Sequence, residues 1–204
     1  KWLVVRDLNM IESATWWKDG PEIASGELKT EDIQTEVFFM PAATHVEKSG
    51  SFTQTQRLVQ WRHQAVTPPG DAQSELEFFF ELGKRIRQRL ADSEDARDRP
   101  LLDLTWDYPL DEQGEIDPVS VLAEINGRFE TGEDAGEPLS SYGQMTADGS
   151  TSGGCWIYAG IYADRVNRAA MRVPGWQQDE IASQWAWAWP ANRRIPVSYT
   201  HLRA

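Results

Sequence analysis

Trp2 to Trp17 read "WLVVRDLNMIESATWW", Thr35 to Pro41 read "TEVFFMP", and these two stretches decide the fold. Trp2 to Val5 is a short apolar run of strand-forming residues, and Asp7 stands where its C-terminal end falls. The next residues can form a helix, with Asn9 as its cap and Glu12 three positions later in a capping-box arrangement. Lys18 to Gln34, rich in Gly, Pro and charge, reads as a surface excursion. The apolar pattern then resumes in "TEVFFMP" and stops at Pro41. A helix between two short strands predicts a βαβ unit in a parallel sheet, whose carboxyl ends are the usual ligand-binding edge of an open α/β fold.

Beyond Arg62, "TPPGDAQSELEFFFELGKRIRQRLADS" (Thr67 to Ser93) predicts the clearest helix. Leu76, Phe79, Leu82, Gly83, Ile86 and Leu90 recur at helical spacing, and acids precede bases along it. Such a helix is expected to pack on the sheet. Asp117 followed by Pro118 predicts a second helix that buries Val121, Leu122 and Ile125 and stops near Gly127. Phe129 to Gly154 is expected to be mostly loop. In "QWAWAWP" (Gln184 to Pro190) Trp185, Trp187 and Trp189 alternate, which aligns three indoles on one face of an extended chain. They can serve as a stacking platform for a carbohydrate or quinone, or as an anchor against a neighbouring layer.

Composition narrows the function. The 204 residues carry a formal net charge of −12, which opposes binding to nucleic-acid phosphates. No apolar run approaches the roughly 20 residues of a membrane-spanning helix. Cys155 is the single cysteine, so no intrachain disulfide can form, and it reads as a structural thiol. His45, His63 and His201 lack ligand spacing, and no metal ligands are assigned. There is no glycine-rich phosphate loop, no GxSxG and no HExxH, so no catalytic residues are assigned either. The chain opens inside an apolar run with no initiator Met, which leads to the expectation that it is a fragment.

Several ordered blocks carry a resemblance. "WLVVRDLNMIESA", "TEVFFMPAATHVEKSGSFTQTQRLVQWR" and "PPGDAQSELEFFFELGKRIR" resemble the molybdopterin oxidoreductase family. The blocks "RPLLDLTWDYP", "VLAEING", "LSSY", "ADGSTSGGCWIYAGIYAD" and "WAWPANRRI" are similar to its branch of respiratory formate dehydrogenase catalytic subunits. Ile11 and Ser13 flank Glu12 where the family often has Thr, and Gln54 stands at its usual Asn. After Ile195, "PVSYTHLRA" departs from the family pattern and resembles translated adapter sequence.

The resemblance implies an α/β fold. Residues 1–92 would end a dinucleotide-binding domain with a partial parallel sheet. Residues 93–195 would form a loop-rich helical connection toward a C-terminal cap, and 196–204 a non-native tail. The implied cofactor is bis(molybdopterin guanine dinucleotide) with molybdenum or tungsten, and the full-length protein would add an iron-sulfur cluster that this chain does not bind. Formate would be the substrate, oxidised to carbon dioxide, and an iron-sulfur electron-transfer subunit the partner. The metal-ligating Cys or selenocysteine and the cluster cysteines would lie N-terminal to the matched region, so this piece alone would be inactive. Export by the twin-arginine route to the periplasmic or cell-envelope side is also implied.

Asp7, Glu12, Gly50, Thr53, Gln54 and Arg57 are the implied cofactor-binding residues. Glu47 and Lys48 would fix the loop after the second strand, and Gly50 would permit close backbone approach. Thr53, Gln54, Thr55 and Arg57 would hydrogen-bond a pterin or phosphate, or else neighbouring backbone. The alternative from another class is a noncatalytic, Trp-bearing interaction or carbohydrate-binding module.

Overall fold

The computed structural model of the chain describes residues 1–54, 57–111, 114–178, 182 and 184–188. Their contacts divide into two compact units. The first comprises Lys1–Lys48 and Gln64–Trp106, and the second comprises Ser49–His63 and the part of the chain from Asp107 onward. The nine-residue tail from Pro196 and the indole of Trp189 lie outside the described residues.

The first unit contains the expected βαβ element. Strand β1 (Trp2–Asp7) and strand β2 (Glu36–Pro41) pair in parallel, with Asp7 opposite Pro41, so both strands end together. Helix α1 (Glu12–Asp19) and a single turn, α2 (Pro21–Ala24), lie between them. The mixed α/β class therefore holds, but among the described residues this sheet has two strands. Trp2 is 80% exposed and Val4 is 58% exposed, because one short helical connection cannot cover both faces of the pair.

The start of α1 differs from expectation. Ile11, not Asn9, occupies the cap position and makes no side-chain cap hydrogen bond. Ile11 N–H donates instead to the Asn9 carbonyl at 3.0 Å, a tight turn that delays the helix and leaves Glu12 as its first residue. The Glu12 charge still sits at the positive end of the peptide dipoles.

Helix α3 (Glu75–Arg89) starts on Ser74, whose hydroxyl accepts the Glu77 N–H at 3.1 Å. Its packed side is only partly the expected stripe. Gly83 is buried, because the Trp106 ring lies where a methyl group would stand, and Phe80 stacks on the same indole at 6.3 Å. Phe79 and Leu82 are exposed. Helix α4 (Arg99–Leu102) follows in the same unit.

The second unit is built on a hairpin not foreseen in the polar stretch after Pro41. Strand β3 (Gly50–Thr53) pairs antiparallel with β4 (Leu58–Arg62). Helix α5 (Pro118–Asn126) begins as expected, with both Asp117 carboxylate oxygens accepting from Val119 and Ser120 N–H groups. Gly127, at φ 87°, ends it. Strand β5 (Arg128–Phe129) pairs with β6 (Thr151–Ser152), framing the expected loop-rich segment. Strand β7 (Ala186–Trp187) adds to the other edge of β4.

The core of this unit gathers Val59, Trp61, Leu122, Ile161, Ala169, Ala186 and Ala188. The alternation read in "QWAWAWP" is real, with the inner face reversed. Ala186 and Ala188 are buried, while Trp185 and Trp187 stack half-buried at 6.4 Å. Small alanines fit under the sheet where indoles would overfill it.

Candidate functional site

In the first unit the functional candidate is the carboxyl edge of the parallel pair. Asp7 closes β1, half-buried, and one of its carboxylate oxygens accepts the Leu8 N–H at 2.7 Å. The other oxygen has no hydrogen-bond partner among the described residues. The chain leaving β2 passes alongside, with Ala42 N–H donating to the Asp7 carbonyl at 3.0 Å. It is then clamped to the approach of α3, since Gln73 N–H reaches Pro41 O and Ala43 N–H reaches Gln73 O at 2.8 Å.

Charged groups hold this edge, two of them as expected. Glu47 Oε2 accepts the Thr44 N–H at 2.8 Å, and Lys48 Nζ donates to the Ala43 carbonyl at 3.2 Å and to Glu75 at 2.5 Å. Burial pushes the Glu75 carboxyl up, but the Lys48 ammonium, the residue's own backbone N–H and Arg6 outweigh that and hold it below its ordinary range. Arg6, the penultimate residue of β1, donates to Gln73 O at 2.5 Å and lies over the Phe78 ring at 4.5 Å. Arg6 Nε and the Thr44 hydroxyl are buried without a hydrogen-bond partner among the described residues. Buried polar atoms left without partners are uncommon and mark places where a ligand can complete the bonding.

The six residues singled out in the sequence fall in both units. Asp7 and Glu12 belong to the first, whereas Gly50, Thr53, Gln54 and Arg57 belong to the β3–β4 hairpin of the second. Gly50 sits at φ 150°, a conformation that favours glycine, and no protein atom lies within 4 Å of where its Cβ would be. The Thr53 hydroxyl pairs with Tyr158 OH at 2.9 Å, and Gln54 Nε2 donates to Gln60 Oε1 at 2.6 Å. Arg57 adopts a left-handed conformation at φ 68° and donates its N–H to Gln54 O at 2.7 Å, closing the turn. Thr55 lies outside the described residues. Thr53 and Gln54 thus already have protein partners, while Asp7 retains an unused oxygen.

Sequence reasoning missed Arg6, Thr44 and Glu75. Their positions are signalled only by topology: Arg6 precedes the strand end, Thr44 follows the second strand end, and Glu75 opens the helix clamped beside both. Among the described residues, no three His, Cys, Asp or Glu side chains cluster to hold a metal ion, and no helix is long and apolar enough to cross a membrane.

The arrangement fits a pterin dinucleotide in donor chemistry. A carboxylate at a parallel-strand end accepts hydrogen bonds from sugar hydroxyls or base N–H groups. The orphaned Thr44 hydroxyl and Arg6 Nε–H are available to oxygens of a polar ligand.

Residues 38–85 match the family model described as Molybdopterin oxidoreductase. The chain is 35% identical over 207 residues, 95% of its length, to "Formate dehydrogenase subunit alpha" of Megalodesulfovibrio gigas, of which it covers 20%. It is 33% identical, over 96% of its length and 20% of the relative, to "Formate dehydrogenase-O major subunit" of Escherichia coli strain K12. It is 31% identical, over 95% of its length and 19% of the relative, to "Formate dehydrogenase 2 subunit alpha (cytochrome c-553)" of Nitratidesulfovibrio vulgaris. The chain spans about a fifth of the length of these curated relatives. Residues 38–85 thus resemble the molybdopterin oxidoreductase family, and the chain along nearly its whole length is similar to one segment of formate dehydrogenase alpha and major subunits.

Proposed function

We propose that this chain is the cofactor-holding segment of a formate dehydrogenase catalytic subunit. The observation that carries the reading is similarity along 95% of the chain to a formate dehydrogenase alpha subunit. In the reading, the two-electron conversion of formate into carbon dioxide and a proton takes place at molybdenum or tungsten held by bis(molybdopterin guanine dinucleotide). An iron-sulfur cluster elsewhere in the full subunit, and an iron-sulfur partner subunit, carry the electrons away. Twin-arginine export to the cell-envelope side accompanies it.

The residues of this chain bind and orient. Asp7 accepts from ribose hydroxyls or guanine N–H groups, and Glu12, beside it in sequence at the head of α1, is the second acidic contact. Gly50, Thr53, Gln54 and Arg57 present the hairpin turn to the cofactor. The ion pair of Lys48 with Glu75 keeps the loop after β2 in place, so that the strand-end acceptor is already oriented before binding.

The test is made in the full-length subunit. Asp7→Ala is expected to lower pterin and metal occupancy, because a hydrogen bond to a charged group contributes about 1.5 to 3 kcal/mol. Unchanged occupancy would assign Asp7 to capping the Leu8 N–H alone. The 204-residue chain by itself is expected to show no formate-dependent dye reduction above a boiled control.

A further inference from the structure

The second unit contains a cavity of about 280 Å³ that the cofactor reading leaves without a role. One wall is β4, from Leu58 to Arg62, and the opposite wall is Arg168, Ala169, Met171, Arg172 and Trp185. Among the described residues strand β7 pairs with β4 at Leu58 and Val59, and Gln60, Trp61 and Arg62 beyond them line the cavity.

Three arginines, Arg62, Arg168 and Arg172, line the cavity in a protein whose formal net charge is −12. Arg172 is pinned by backbone carbonyls alone, donating to Trp61 O at 3.1 Å, Met171 O at 2.9 Å and Ala169 O at 3.4 Å. Those three bonds leave two of its five N–H donors unused. Neither Arg62 nor Arg172 has a carboxylate within ion-pair distance among the described residues, and Arg168 shares only the exposed Asp164, at 3.2 Å. Arg62 is oriented by the Phe52 ring, 5.9 Å away. Among the described residues the cavity wall thus carries two arginines without a carboxylate partner. Fixed guanidinium forks match oxyanions in geometry and charge.

We propose that this cavity binds a small oxyanion, a carboxylate or a phosphate, held by Arg62 and Arg172 with Arg168 at the rim. The size suits a small ion: at about 280 Å³ the cavity falls just below the roughly 300 to 1,000 Å³ that drug-sized ligands occupy. A whole dinucleotide would overfill the space, whereas an acetate-like or diphosphate-like ion with its hydration water would not. Trp61 and Trp185 in the walls bring indole fluorescence to the site.

The experiment titrates the 204-residue chain with sodium acetate and, separately, inorganic diphosphate, at ionic strength held constant with sodium chloride. Tryptophan fluorescence and calorimetry are read together. Saturable binding of at least one ion is expected, weakened at least tenfold in Arg62→Gln and in Arg172→Gln and unchanged in Arg97→Gln, which lies in the other unit. Whether acetate or diphosphate binds distinguishes the two sources. Because Arg172 also holds the Trp61 carbonyl, its variant can lose fold, and Arg62→Gln, whose side chain makes no backbone hydrogen bond among the described residues, then decides. No saturable binding of either ion, or binding equally strong in Arg62→Gln, overturns the proposal. Neither result depends on pterin content, so it is distinguishable from a failure of the cofactor reading.

Discussion

At the scale of single residues, Asn126 is a heavily committed polar side chain of the second unit. It is 0% exposed, and its amide donates to Gly127 O at 2.9 Å and Leu139 O at 3.0 Å while its carbonyl accepts from Gly160 N–H at 2.8 Å and Tyr162 N–H at 2.9 Å. One side chain thus ties the end of α5 to two distant loops. Asn126→Leu keeps the volume and removes all four bonds, and each buried group left unpaired costs about 1 to 3 kcal/mol. A loss of at least about 3 kcal/mol in urea unfolding is expected; less than about 1 kcal/mol would mean that water replaces the amide. Two glycines separate steric from conformational need. Gly83→Ala puts a methyl 2.2 Å from a Trp106 ring carbon, so its cost should shrink when Trp106 is also changed to Leu. Gly50→Ala meets no neighbour, so its cost, of order 1 to 3 kcal/mol from backbone strain, should respond to no second substitution.

At the scale of elements, the Lys48–Glu75 pair fastens the loop after β2 to the first turn of α3. Glu75 has a folded-state pKa below its ordinary 4.5, so the unfolded chain takes up a proton first as pH falls. The stabilisation is therefore complete above about pH 4.5 and is lost as pH drops through the folded value. Lys48→Met is expected to flatten the stability-against-pH curve between pH 5 and 3, measured by urea midpoints; an unaltered slope would remove the pair from that role. Helix α3 was legible from its apolar spacing and the run from acids to bases, and α5 from Asp117 and Pro118, a cap and first residue that the structure bears out. The onset of α1 was misread because a local turn at Asn9 competes with capping. The β3–β4 hairpin was overlooked although "LVQWR" alternates, with Val59 and Trp61 buried, since the polar residues around it suggested only a loop. At the candidate site Asp7 was legible from its strand end, but Arg6, Thr44 and Glu75 acquire meaning only when β1, β2 and α3 are brought together.

At the scale of the whole molecule, sequence order and structural membership diverge. Ser49–His63 interrupts the first unit in sequence and belongs to the second. No local pattern announces this, because the partners of Val59 and Trp61 are Leu122, Ile161, Ala169, Ala186 and Ala188, all more than fifty residues away. Strand β7 likewise has β4 as its pairing partner. A polypeptide of residues 107–204 would therefore begin with its core already missing two large members and the strand on which β7 forms. Burying a Val or larger apolar side chain stabilises by about 1.5 to 3 kcal/mol, and a domain's whole stability is about 5 to 15 kcal/mol. Loss of both residues, and of the main-chain pairing with them, is expected to abolish cooperative folding. Residues 107–204 alone should bind a hydrophobic dye and lack near-ultraviolet circular dichroism. Joining 49–63 to their N-terminus through a flexible linker should restore a sharp unfolding transition. A sharp transition in 107–204 without the hairpin would show instead that α5 and its loops hold a sufficient core of their own.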